Sequence, residues 1–327
     1  MSNPDALPRT AFLFPGQGSQ KVGMGKALVD RFQRARAVFD EADAVLGFSL
    51  SKLCFDGPDA DLVLTANAQP AILVTSLAAL RVIEEETPLR AAFVAGHSLG
   101  EYAALVAARS LSLADAVRAV HMRGRFMQEA VPEGVGAMAA LLGIGRADAE
   151  AACAEAMGLD PGEIVSPANF NGGGQIVIAG HRAAVARACE AARRRGAKKA
   201  VPLAVSAPFH SALMRPAADR LAAELARIEV RTPEIPVVTN VEAAPNSDGG
   251  RVRELLTRQV TEAVRWEESI ERLVALGVTE AIEVGQGAVL AGLVKRIAPT
   301  IRVRGAGDPA AIAALTVAAT IEESSHA

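Results

Sequence analysis

The stretch that most limits how this chain folds is FVAGHSLGEYAALVAA, residues 93–108. An apolar run ends in Gly-His-Ser-Leu-Gly, and an alanine-rich helical pattern follows at once. Strand, tight turn and helix in direct succession form the basic unit of an α/β protein. The upstream chain has the same texture. TAFLF (10–14) reads as a buried strand running into the turn PGQGS, and residues 26–46 carry apolar positions at three- and four-residue spacing, as one helix would. QPAILVTSLAALRVIEEE (69–86) reads as a helix with Pro70 near its first turn, AAFVAG (91–96) as a strand, and 99–110 and 111–131 as helices.

After residue 131 the texture changes. GAMAALLGI, RADAEAACAEAM, EIVSPANFNGGGQIVIAG, HRAAVARACEAARRRG and KKAVPLAV read in order as strand, helix, two strands around a glycine-rich turn, helix and strand. This βαββαβ order over 132–204 is the ferredoxin-like pattern. The α/β texture then resumes with IPVVTN (235–240), two helical segments and EAIEVG (280–285), while EAAPNSDGG (242–250) reads as a surface loop. The expected fold is therefore α/β. A mainly parallel sheet, built from 1–131 and 205–327 as one discontinuous domain, carries an inserted ferredoxin-like subdomain at 132–204.

Length and composition fit that plan. The chain has 327 residues, half of them hydrophobic, enough for a sizeable core and roughly two domains. A formal charge of −3 gives no general attraction to nucleic acid or to an anionic membrane. Cys54, Cys153 and Cys189 are scattered and odd in number, which argues against a disulfide framework and a structural zinc site. The start, MSNPDALPRT, lacks the basic and apolar regions of a signal peptide, and charges interrupt the alanine-rich runs before a membrane span is reached. These features predict a soluble, cytoplasmic protein.

Gly96-His97-Ser98-Leu99-Gly100 fits G-x-S-x-G in the strand-to-helix context where that motif marks a nucleophile. The glycines allow a crowded turn, and the following helix N-terminus favours a developing oxyanion. A plain helix N-cap is the competing role for Ser98. A nucleophilic serine needs a base. Of His97, His121, His181, His210 and His326, only His210 stands in a loop suited to catalysis, after a strand and beside Pro208. No Asp pairs with it by pattern. The Gly172-Gly173-Gly174 triplet falls after the serine, whereas a hydrolase oxyanion loop precedes it. FPGQGSQ (14–20) does precede it and has the glycines to present a backbone N–H.

FPGQGSQ, QPA (69–71), GHSLGEY (96–102), MRGRFMQEAVPEG (122–134), NFNGGGQIVIAG (169–180), PFHSALM (208–214), TNVEA (239–243), RQV (258–260), VRW (264–266) and EVGQGAVLAGLVKRI (283–297) occur in one order. In this the chain resembles the malonyl-CoA:acyl-carrier-protein transacylases from about residue 10 to 300. The resemblance implies a hydrolase-like core, no metal or tightly bound cofactor, malonyl-CoA and holo acyl carrier protein as partners, and a monomer. Position by position it implies Ser98 as the acylated nucleophile and His210 as its base, oriented by the backbone carbonyl of Gln259. It implies Gln17 and Leu99 as oxyanion N–H donors, Arg123 as the clamp on the malonyl carboxylate, and His97 and Asn169 in support. Phe209 matches a residue that excludes α-branched acyl groups, against an equal case for core packing. Lys198 and Lys199, in the densest basic run, are candidates for carrier or CoA docking, against a role as cations at a helix C-terminus. Gly172-Gly173-Gly174 and the Gln286 and Ala288 pair depart from the family pattern, the first implying a looser hairpin.

Overall fold

The computed structural model describes residues 9–160, 162–205 and 207–316. Among these residues ten strands form two sheets. β1 (Arg9–Phe14), β2 (Phe93–Gly96), β7 (Val237–Val238), β8 (Pro245–Asn246), β9 (Val278–Val284) and β10 (Arg302–Ala306) make a six-stranded sheet of order β10-β9-β1-β2-β7-β8. Every pairing is parallel except β7 with β8. Central β1 is apolar on both sides because both faces are covered. Phe12 and Phe14 enter the main core, while Ala11 and Leu13 pack with Trp266, Ile270 and Leu290 on the other face.

β3 (Gly136–Leu142), β4 (Val165–Gly172), β5 (Gln175–His181) and β6 (Lys199–Pro202) form an antiparallel sheet of order β4-β5-β3-β6. Helices Arg146–Gly158 and Arg182–Arg194 connect its strands, giving the ferredoxin-like topology. Strand alternation divides its side chains. Ala139, Leu141, Ile176 and Ile178 face the two helices, whereas Met138, Ala140, Val177 and Ala179 pack onto the main core. Backbone bonds from Phe170 N to Val264 O and from Val264 N to Ala168 O, each 2.9 Å, join β4 to the chain that enters helix Trp266–Ala275.

Five sequence expectations are corrected. The single helix over 26–46 is two, Lys26–Arg31 and Gln33–Leu46, because Phe32 is extended at φ −121°. The 69–86 helix begins earlier, at Thr65, so Pro70 lies in its second turn. That helix is uncharged from Thr65 to Leu80 and is long and apolar enough to cross a membrane, contrary to the expectation that charges interrupt every such run. It is instead mostly buried as the central core helix. The supposed loop at 242–250 contains edge strand β8, with Pro245 where no ladder N–H is needed, and ends at Asp248, whose carboxylate caps helix Gly249–Gln259. The Gly172-Gly173-Gly174 hairpin is not loose. All three glycines have positive φ, and Gly172 and Gly173 lie against Ile297 and Arg296 of helix Val289–Ile297.

Candidate active site

Three adjacent parallel strands deliver the site from their carboxyl ends, where open α/β sheets bind ligands. β1 turns through Pro15-Gly16-Gln17, β2 enters His97-Ser98, and β7 runs into Thr239-Asn240. Ser98 has φ +51°, a left-handed conformation costing a side-chain-bearing residue on the order of 1–3 kcal/mol. The surroundings enforce it. Ser98 N donates to Asn240 Oδ1 at 2.7 Å, and Asn240 Nδ2 donates to Gly96 O at 2.7 Å. Both motif glycines are needed for close approach rather than for positive φ. A Cβ on Gly96 would fall 2.0 Å from Gly100 C, and one on Gly100 would fall 2.2 Å from Phe14 O.

His210 also has positive φ, +56°, and is 4% exposed. Its Nδ1 lies 2.7 Å from Gln259 O, and its Nε2 lies 2.8 Å from Ser98 Oγ. A carbonyl only accepts, so Nδ1 carries the proton and the Nε2 lone pair accepts the serine O–H. Burial first, then the nearby Arg123 cation, pushes the imidazole pKa down to about 3. The ring is thus neutral, as a base must be.

Arg123 extends from helix Leu113–Glu129 and is 2% exposed, not on a solvated face. It donates from Nη1 to Gln69 Oε1 at 2.7 Å, and from Nη2 to Ser98 Oγ and Gln259 Oε1, both at 3.0 Å. The Nε–H has no acceptor and, among the described residues, no carboxylate lies within ion-pair distance of the guanidinium. Pro70 fixes the spacing of the two helices involved. It has no N–H for the Ala66 carbonyl, which instead accepts from His121 Nδ1 at 3.0 Å. Gly124 completes the close contact, since a Cβ there would lie 2.6 Å from Thr65 O.

The PGQG turn lies against the elbow, with space for no Cβ on Gly16, which would meet His97 O at 2.6 Å. The backbone N–H groups of Gln17 and Leu99 have no acceptor among the described residues. His97 is partly buried, its Nε2 bonded to Asn171 Oδ1 at 2.9 Å and its ring 5.5 Å from that of Trp266; desolvation lowers its pKa. Asn169 pairs through its backbone with Val264, and the asparagine whose side chain is bonded to His97 is Asn171. Phe209 is 8% exposed and packs in the main core. Lys198 and Lys199 are exposed, whereas Arg194 and Arg195 of the same basic run both pair with Glu155. His181 accepts from Ile164 N on β5, and His326 lies outside the described residues.

Four residues that sequence reasoning did not single out complete the site. Gln69, Glu101, Asn171 and Asn240 all sit inside or beside motifs legible in the sequence, but their pairings join distant segments. Glu101 is 2% exposed, and its Oε2 accepts from Gln259 Nε2 at 2.6 Å and from Asn240 N at 3.1 Å. Desolvation pushes its carboxyl up to about 7. Among the described residues no cluster of His, Cys, Asp or Glu is placed to hold a metal.

A strained serine, a neutral histidine oriented by a carbonyl and two unengaged amides form an acyl-transfer site, and residues 11–315 match the acyl transferase domain. The chain is 49% identical to malonyl CoA-acyl carrier protein transacylase of Escherichia coli K12, over 94% of its own length and 99% of that protein's. It therefore belongs to the acyl transferase family and, within it, to the malonyl CoA-acyl carrier protein transacylases. Among solved structures it is similar to the acyl-carrier-protein S-malonyltransferase of Bartonella henselae, with a TM-score of 0.90, 47% identity, and 94% and 98% of the two chains covered. It is also similar to a malonyl-transacylase solved with a type II polyketide acyl-carrier protein, at TM-score 0.91 and 44% identity, with 94% and 99% covered.

Proposed function

We infer that this chain transfers the malonyl group from malonyl-CoA to the phosphopantetheine thiol of acyl carrier protein, through an ester on Ser98. The observation that carries the substrate assignment is Arg123. A buried cation satisfied only by two amide oxygens and a hydroxyl, with two of its five N–H donors left over, is completed by an anion. A planar guanidinium beside the nucleophile suits the carboxylate that distinguishes malonyl from acetyl.

Ser98 Oγ attacks the thioester carbonyl while its proton passes to His210 Nε2. The N–H groups of Gln17 and Leu99 hold the tetrahedral oxyanion. Collapse breaks the C–S bond, His210 returns the proton to the CoA sulfur, and malonyl remains on Ser98. The carrier thiol then repeats the steps in reverse, giving its proton to His210 and receiving the acyl group. The Gln259 carbonyl holds the imidazole tautomer that both halves require. Phe209 would narrow the acyl end of the groove from within the core.

The same reading treats 1–131 and 205–327 as the catalytic domain and 132–204 as its insert, supported by the separate core beneath the insert's helices. A cytoplasmic setting agrees with three unpaired, buried cysteines. Lys198 and Lys199, whose neighbours Arg194 and Arg195 are already paired with Glu155, remain candidates for contact with an acidic carrier.

Intact-mass measurement with malonyl-CoA tests the whole reading. A malonyl adduct that persists until holo carrier protein is added, and is absent in Ser98→Ala, is the expected result. Release of free malonate would make the chain a thioesterase, and an unacylated protein that only retains the carrier would make it a binding module.

A further inference from the structure

Glu101 is a buried carboxylate with no part in the steps above, yet it lies three residues past the nucleophile on the first turn of helix Gly100–Ala107. Its hydrogen bonds lead to every working group. Gln259 Nε2, which donates to Glu101 at 2.6 Å, also donates to Ser98 O at 3.0 Å. The other end of that amide, Oε1, accepts from Arg123 Nη2 at 3.0 Å. The Gln259 backbone carbonyl meanwhile holds His210.

We propose that Glu101 is a positioning residue for Arg123, its carboxylate fixing the Gln259 amide so that the amide oxygen faces the guanidinium. The proposal rests on reading Arg123 as the malonyl clamp. In its ionised form Glu101 only accepts, and the Ser98 carbonyl accepts whichever form Glu101 takes, so a flipped amide would set its oxygen against these acceptors and its NH₂ against the guanidinium donors. One orientation remains. The relay also explains why the acid does not touch the arginine. A direct Glu–Arg pair would occupy the donors that a substrate carboxylate needs, whereas an amide between them supplies a counter-charge at one remove and leaves the clamp open.

The test compares Ser98 acylation rates from malonyl-CoA and acetyl-CoA. Glu101→Leu should lower the malonyl-over-acetyl preference about tenfold, the scale of coupling between residues in one network. Glu101→Gln, which still offers an acceptor oxygen to Gln259 and Asn240, should recover most of it. Equal losses for both acyl groups in Glu101→Leu would overturn the proposal, because a residue that merely scaffolds the elbow slows both. Should that variant fail to fold, Gln259→Met removes the relay while keeping the carbonyl on His210, and an unchanged preference there is equally fatal. Arg123→Ala separates the two readings. If it leaves the preference intact, the clamp itself is wrong, whatever Glu101 does.

Discussion

The protonation of His210 depends on a neighbouring charge as well as on burial. His210 is held at about 3 by burial and by the Arg123 cation, so its proton affinity depends on what sits on Arg123. A malonyl carboxylate on the guanidinium cancels that charge, and an acetyl group does not. The acid limb for transfer from the preformed acyl-enzyme to pantetheine should therefore lie at higher pH for the malonyl ester than for the acetyl ester. Single-turnover rates across the acid range would show it, and coincident limbs would mean that the imidazole does not sense Arg123. Ser98 and His210 were legible from the sequence because each stands in a loop beside small or rigid residues. Glu101, Gln69 and Asn240 were not, since a polar residue on a helix or after a strand acquires its role only from partners far along the chain. Asn169 and Asn171 illustrate the limit. Two asparagines two positions apart look alike, and the register irregularities in β4 accompany the arrangement in which the second reaches His97.

At the level of elements, the clamp depends on how closely helix Leu113–Glu129 lies on helix Thr65–Glu86. Gly124→Ala would place a methyl 2.6 Å from Thr65 O and 2.8 Å from Ala66 Cα, both backbone atoms that cannot turn aside. The helices must separate, at a cost of roughly 1–3 kcal/mol for overpacking, and Arg123 next door must shift against Gln69. A lower melting temperature together with a weaker malonyl preference is expected. A loss of stability with unchanged preference would show that the helix shift is absorbed before it reaches the guanidinium. The sequence read most elements from periodicity, and missed where backbone geometry overrode it. Phe32 breaks a continuous amphipathic pattern, and Pro70 is tolerated within a helix because His121 takes up the carbonyl it leaves unbonded.

For the molecule as a whole, two buried titratable groups pull stability in opposite directions with pH. His210, lowered from 6.5 to about 3, makes the fold less stable as pH falls below 6.5, because the unfolded chain takes the proton first. Glu101, raised from 4.5 to about 7, favours the fold in acid, and that contribution is lost as pH rises from 4.5 through about 7. Glu101→Gln removes only the second effect. Its melting temperature relative to the unmutated protein should rise between pH 5 and pH 7 and stay level above, and a difference independent of pH would mean that Glu101 titrates normally. The two-sheet plan was visible as a change of texture near residue 132, whereas the weld of β4 to Val264 was not, because a backbone pairing leaves no mark in side-chain type. The placement of the aromatic residues has a practical consequence. The chain has one tryptophan and one tyrosine, and both lie at the site: the Trp266 ring is tilted against that of His97, and the Arg123 guanidinium stands 5.9 Å from the Tyr102 ring. Its ultraviolet emission is thus a built-in optical report on Ser98, and mixing with malonyl-CoA should change the tryptophan signal at the rate of acylation, with no such phase in Ser98→Ala.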